Sequence, residues 1–260
     1  NKSVGGVPTV EMFRKKFADD PATFMLIDKA TRGKTETILF NIDIEGSINK
    51  DKTAVLRVFA KMFYNHLGFF GENLKVAMLE QYIDQLGKTE EFRRVFEAKK
   101  GKSWVDQRKA FAFNGKFIIP TLMEVLDMSE EDAKRWFNDK TAVEFSIAQL
   151  VEDIKAYVKK QPKDFRLIFL IDEVGQYVGT DTDMLLNLQS LTEKIGSECG
   201  GKVWVMCTGQ EAIDEIIKVR ADEFSRIQAR FKTRLSLSSS SVDEVIQKRI
   251  LKKKPDVEKQ

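Results

Sequence analysis

Two kinds of hydrophobic pattern run along the chain. Short apolar runs at 37–43, 167–172 and 202–208 are bounded by polar residues and predict buried strands; a shorter alternating segment at 233–237 predicts a fourth. The runs at 167–172 and 202–208 are apolar at successive positions, as expected for parallel strands covered on both faces. Between them, Met184, Leu185, Leu188, Leu191 and Ile195 recur at helical spacing over 183–196. Strand, helix and strand in this order predict an α/β fold.

The stretch 52–160 has a different period. Helical patterns fill 54–67, 74–86, 90–99, 129–138 and 142–160, which predicts a mainly helical insertion between the first and second strands. Ser129-Glu130-Glu131-Asp132 resembles a capping box with Asp in the closing position, and Ser241-Val242-Asp243-Glu244 opens a final helix that Pro255 stops. Near the start, Pro8-Thr9 precedes a helix over 9–17. The resulting division is 1–51, the start of the α/β core with its strand at 37–43; 52–160, the insertion; 161–240, the rest of the core; and 241–260, a terminal helical segment.

Composition narrows the classes. The 260 residues are 42% hydrophobic and 32% charged, a soluble and charge-rich balance. With 43 Lys and Arg against 40 Asp and Glu, the net charge of +3 argues against a wholly nucleic-acid-coating protein. No apolar run approaches the ~20 residues of a membrane span. Cys199 and Cys207 form neither a disulfide framework nor a zinc motif, so a cytoplasmic location is expected, and His66 as sole histidine leaves little room for histidine-based catalysis. All three residues read as structural.

The sharpest chemical signal is the apolar run ending in Asp172-Glu173. A strand that ends in adjacent carboxylates places both at the C-terminal edge of the sheet, where α/β folds bind ligands. There Asp172 suits Mg²⁺ held through its water shell, and Glu173 suits polarising a water for attack on a γ-phosphate. A buried strand meeting an acidic surface loop has the same sequence. The next strand ends in Cys207-Thr208-Gly209-Gln210, so Thr208 or Gln210 could orient that water or sense the phosphate. Arg226 and Arg230 follow before the fourth strand. In ring-forming ATPases an arginine before the last core strand reaches into the neighbouring subunit's nucleotide site; a basic helix face in solvent has the same sequence.

This order resembles the second half of a P-loop NTPase of the ASCE class, AAA+/STAND type. Leu167–Glu173 matches Walker B, 203–210 sensor 1, 226–234 the arginine region and 241–254 a helical lid, with 37–43 as the strand flanking Walker B. Within that class, the 169–177 stretch from Phe169 to Tyr177 is similar to the large ATPases of BREX phage-defence systems, BrxC or PglY; 205–211, 224–231 and 38–43 are similar too. The resemblance is weakest over 70–140. It implies an incomplete P-loop parallel sheet with a large helical insertion, ATP and Mg²⁺ as cofactors, other BREX defence proteins as partners, and a homo-oligomer. In the intact protein, hydrolysis would drive assembly or conformational change. A non-catalytic scaffold on the same fold, or an AAA+/STAND regulator outside phage defence, remains open.

A phosphate loop needs G-x-x-x-x-G-K-[ST], and Gly33-Lys34-Thr35 offers only its end. Asp28 stands where the first glycine belongs, and a strand follows instead of a helix, which predicts a surface turn. The resemblance places the loop before Asn1. These residues alone are then expected to be inactive. Finally, 90–116 holds eight basic and four acidic residues with Phe96, Trp104, Phe111 and Phe113 interleaved. That pattern suits either a charged helix pair with a buried aromatic core or contact with DNA.

Overall fold

The three long apolar runs form parallel strands in a computed structural model, which describes residues 3–46, 51–139, 145–179, 181–209, 233 and 246. A small ribbon, β1 (Ser3–Val4) and β2 (Val7–Pro8), turns on Gly5-Gly6, both at positive φ, and leads into α1 (Thr9–Lys16). Next comes α2 (Pro21–Thr31), an element the periodicity did not predict. Its start carries local signals: Asp20 accepts a hydrogen bond from the Thr23 N–H at 3.1 Å, and Pro21 occupies the first turn.

Strand β3 (Thr35–Asn41) is followed at once by the short helix α3 (Ile42–Glu45). The predicted strand therefore runs two residues too far. Asn41 ends it, because its side-chain oxygen accepts from the Asp43 and Ile44 N–H groups at 3.0 and 3.1 Å. The chain then runs through α4 (Ala54–His66), α5 (Leu74–Gln85), α6 (Thr89–Lys100), α7 (Trp104–Gln107), a 3₁₀ turn at Arg108–Phe113, α8 (Gly115–Leu126), α9 (Glu130–Asn138) and α10 (Ile147–Lys159). It returns to the sheet with β4 (Arg166–Asp172), α11 (Val174–Val178), α12 (Thr182–Glu198) and β5 (Val203–Cys207). The predicted strand at 233–237, apart from Thr233, and the capping box at 241–244 lie outside the described residues.

The sheet order is β3-β4-β5, all parallel. Ile38 sits opposite Phe169, and Phe169 opposite Val205. Ile38, Phe40, Leu167, Phe169, Ile171 and Val203 form the buried face, packed by α4, α10 and α12. Phe59 of α4 is the keystone, with its ring 5.8 Å from Phe40 and 5.4 Å from Phe169. Coverage of both faces was expected, and the opposite face corrects that: Leu39, Trp204 and Met206 remain 68%, 51% and 43% exposed.

The region 52–160 divides by its packing. Helices α4 and α10 belong to the sheet core, whereas α5 to α9 surround a second core that includes Phe92, Phe96, Trp104, Ile118 and Leu122. At its centre the buried Glu80 accepts from Trp104 Nε1 (2.7 Å), the Phe70 N–H (2.6 Å) and Arg108 Nη1 (3.0 Å). A buried carboxylate is tolerated only with such saturation. Helix α8 carries Pro120, which removes one intrahelical hydrogen bond, and the periodic reading assigned nothing there. α10 starts at Ile147, where Ser146 accepts from the Gln149 N–H at 3.1 Å, so the predicted helix begins too early.

Candidate functional site

The C-terminal edge of the sheet gathers Asn41, Asp172, Glu173 and Thr208 from three adjacent strand ends. Parallel register puts Asn41 opposite Asp172 and Ile171 opposite Cys207. The Thr208 N–H donates to the Ile171 carbonyl at 2.9 Å, extending the ladder one residue beyond β5, and the Val174 N–H donates to the Thr208 carbonyl at 3.1 Å. Held at both ends in this way, the Thr208 hydroxyl donates to Asp172 Oδ1. Asp172 itself is exposed.

Glu173 leaves the strand in the left-handed region, at φ 61° and ψ 31°, before α11 begins. For a residue with a Cβ this conformation costs about 1 kcal/mol or more. It turns the chain sharply, so that Asp172 and Glu173 follow different backbone directions from one strand end. Tyr177 of α11 is buried against α3. A Cβ on Gly46 would come within 2.6 Å of its hydroxyl oxygen, so Gly46 permits the close approach of α3 to α11. Burial pushes the Tyr177 hydroxyl up, with Arg57 opposing and Asp43 and Asp51 adding to the rise.

Among the described residues, Arg57 and Lys61 near this edge are committed to carboxylates. Arg57 Nη1 lies 2.8 Å from Asp51 Oδ2, and its hydrogen bond, with that of Thr53, holds Asp51 down at about 2. Lys61 bridges Glu45 at 2.8 Å and Glu72 at 3.0 Å; burial opposes its charge, but the two carboxylates prevail and raise its pKa. Gln210, Arg226 and Arg230, the other residues predicted for this site, lie outside the described residues. Asn41 was missed as a site residue. Its place beside Asp172 depends on β3–β4 register, which no local pattern announces.

The donor set suits a hard cation only in part. Asp172 and the Thr208 hydroxyl offer oxygen ligands, but among the described residues no group of three Asp, Glu, His or Cys side chains could enclose a metal. Mg²⁺ is commonly held by one or two carboxylates together with substrate phosphates and water, and Asp172 fits that pattern.

Gly33-Lys34-Thr35 falls at the other end of the sheet. Gly33 turns at φ 82°, the Arg166 N–H donates to the Lys34 carbonyl at 2.9 Å, and Lys34 Nζ pairs with Glu36 at 2.6 Å. Six strand steps of about 3.3 Å separate this turn from Asp172, roughly 20 Å. It is a surface turn at the N-terminal edge.

Most of the remaining candidates are packed into the structure. His66 Nε2 lies 2.8 Å from Glu36 Oε2. Burial pushes the Cys199 thiol up to about 11 and the Cys207 thiol up to about 12, away from thiolate chemistry. In the basic segment, Phe96, Trp104 and Phe111 are core residues, with Trp104 edge-on to Phe92 and Phe96 at 5.1 Å each; only Phe113 stands out, 89% exposed. A cleft of about 400 Å³ between α4, α5 and α6, lined by Leu67, Phe69, Asp84, Thr89 and Arg93, contains none of the sheet-edge residues. Its two carboxylates are already partnered, Asp84 by the Thr89 hydroxyl at 3.2 Å and Glu90 by Arg93 Nη1 at 2.9 Å.

No protein-family model matches the chain, and no solved structure matches it. What defines its class is the architecture itself, an α/β protein whose described residues form a three-stranded parallel sheet with polar side chains collected at the C-terminal strand ends. Among the described residues no helix is long and apolar enough to cross a membrane.

Proposed function

We propose that this chain carries the Walker B half of an ATPase core of the ASCE, AAA+/STAND type, as in the BREX phage-defence ATPases that its motifs resemble. The observation that supports it most is the bond from the Thr208 hydroxyl to Asp172, at the end of the central strand and in register with Asn41. In this reading Asp172 holds Mg²⁺ through water, and bound Mg²⁺ offsets the charge of the ATP phosphates. Glu173 accepts the proton of the attacking water. Thr208 positions Asp172, which differs from direct sensing of the γ-phosphate and leaves that role to Gln210. Arg226 or Arg230 act on a neighbouring copy in a homo-oligomer. No phosphate cradle stands beside Asp172 among the described residues, so another segment must supply it. The setting is cytoplasmic, with other defence proteins as partners, and hydrolysis drives assembly or conformational change.

The paired state of Arg57 and Lys61 favours a second reading, a non-catalytic scaffold. An edge whose described cations are neutralised by carboxylates attracts phosphate weakly. ATP hydrolysis by the longest natural chain containing these residues separates the two. Turnover should fall to background in Glu173→Gln and persist in Lys34→Ala. Equal turnover in parent and Glu173→Gln, or none in either, would remove the catalytic reading and leave the scaffold.

A further inference from the structure

The end of the helical unit, where α6 stops and α8 begins, carries a second surface unrelated to the sheet edge. Between residues 98 and 120 there are six basic side chains and a single carboxylate, Asp106. That carboxylate is occupied by the Ser103 hydroxyl at 2.7 Å. Two of the basic groups are neutralised, Lys99 by Glu124 (2.6 Å) and Arg108 by Glu80 (3.0 Å). Lys100, Lys102, Lys109 and Lys116 make no ion pair with a carboxylate among the described residues.

Two of these four are held together. Lys100 Nζ lies 4.5 Å and Lys116 Nζ 4.9 Å from the centroid of the Phe117 ring, so one half-buried aromatic gathers two like charges from different helices. The two ammonium groups are therefore less than about 10 Å apart; without an anion they repel each other, and a phosphate near both would reverse that term. Phe113 lies three residues before Lys116, 89% exposed although every other aromatic of this segment is buried or half-buried. Its backbone is anchored through the buried Asn114 that follows it, which donates from its N–H to the Phe111 carbonyl at 3.0 Å and from Nδ2 to the Gln107 carbonyl at 3.1 Å, and whose carbonyl accepts from Phe117 and Ile118. An exposed, backbone-anchored ring beside uncompensated lysines is the pairing that single-stranded nucleic acid uses, with stacking for the base and cations for the backbone.

We propose that Lys100, Lys102, Lys109, Phe113 and Lys116 form a binding surface for single-stranded nucleic acid. The duplex offers no unstacked base for Phe113, so the surface favours single strands. An anionic lipid surface would use the same lysines, and the test distinguishes it.

The full chain is titrated, without nucleotide, against labelled oligothymidylate over a range of salt concentrations, with duplex DNA and phosphatidylserine vesicles as parallel probes. Oligothymidylate should bind more tightly than the duplex or the vesicles. In Lys100→Gln/Lys116→Gln the slope of log affinity against log salt should shrink by about 1.4, two charges at about 0.7 each. Phe113→Ala should bind about ten-fold more weakly with its salt slope unchanged, and Phe113→Trp should restore binding. Because these side chains are at the surface, unchanged thermal melts certify the fold of each variant. The proposal is overturned by absent binding at low salt, by equal affinity in Phe113→Ala, or by preference for vesicles or duplex.

Discussion

Glu36 offers a direct test of how the sheet is tied to its helices. Its carboxylate, near the start of β3, receives Tyr157 of α10, His66 Nε2 of α4 at 2.8 Å and Lys34 Nζ at 2.6 Å. Burial alone would raise its pKa. Hydrogen bonds from Lys34, Tyr157 and His66 outweigh that and hold it at about 2, against the usual 4.5. By linkage this corresponds to about 3 kcal/mol of stability at most. Lys34 is 55% exposed, so solvent screens its share, and about 2 kcal/mol is the expected cost of Glu36→Gln near neutral pH. The sign follows from a depressed carboxyl: the contribution is complete above about 4.5 and is lost as pH falls through about 2. Urea unfolding of parent and variant, followed by circular dichroism from about pH 7 down to about pH 2, should show a gap of about 2 kcal/mol that closes across this window. A gap independent of pH, or one below about 0.5 kcal/mol at neutral pH, would refute the reasoning and reduce the cluster to an ordinary surface ion pair.

Two further perturbations address the sheet edge. Gly46→Ala drives a Cβ into the Tyr177 ring and should destabilise by about 1–3 kcal/mol in chemical denaturation, with partial relief in Gly46→Ala/Tyr177→Phe, since the hydroxyl oxygen stands 2.6 Å from the new carbon. Relief of the left-handed backbone in Glu173→Gly should raise stability by up to about 1 kcal/mol while abolishing any turnover; a loss of stability above that amount would mean that the side chain, not the backbone, holds the turn.

Much of the local structure was legible because local forces set it. The helix over 54–67 appears as Ala54–His66, and that over 74–86 as Leu74–Gln85, because their apolar stripes match the faces that become buried. Asp172-Glu173 was legible as a strand end because an unbroken apolar run can only stop where the chain meets water. Strand 37–43 was overextended because Ile42 is apolar and fully buried, yet buried from a helix; only the Asn41 cap distinguishes the two. Helices α2 and α8 were missed because α2 buries no residue fully and α8 contains Pro120, so neither shows a clean period.

The sequence by itself determined the alternation of strands and helices, the carboxylates at a strand end, and the unsuitability of Gly33-Lys34-Thr35 for phosphate, because spacing, charge and residue type act within a few positions. Tertiary structure decided which polar residues meet. Asn41, Asp172 and Thr208 are separated by more than thirty positions each, and only parallel register brings them to one edge. It also decided that α4 and α10 serve the sheet while α5 to α9 enclose their own core, and that four of the five aromatics in the basic segment turn inward. Burial depends on what a face packs against, and that partner lies far away along the chain.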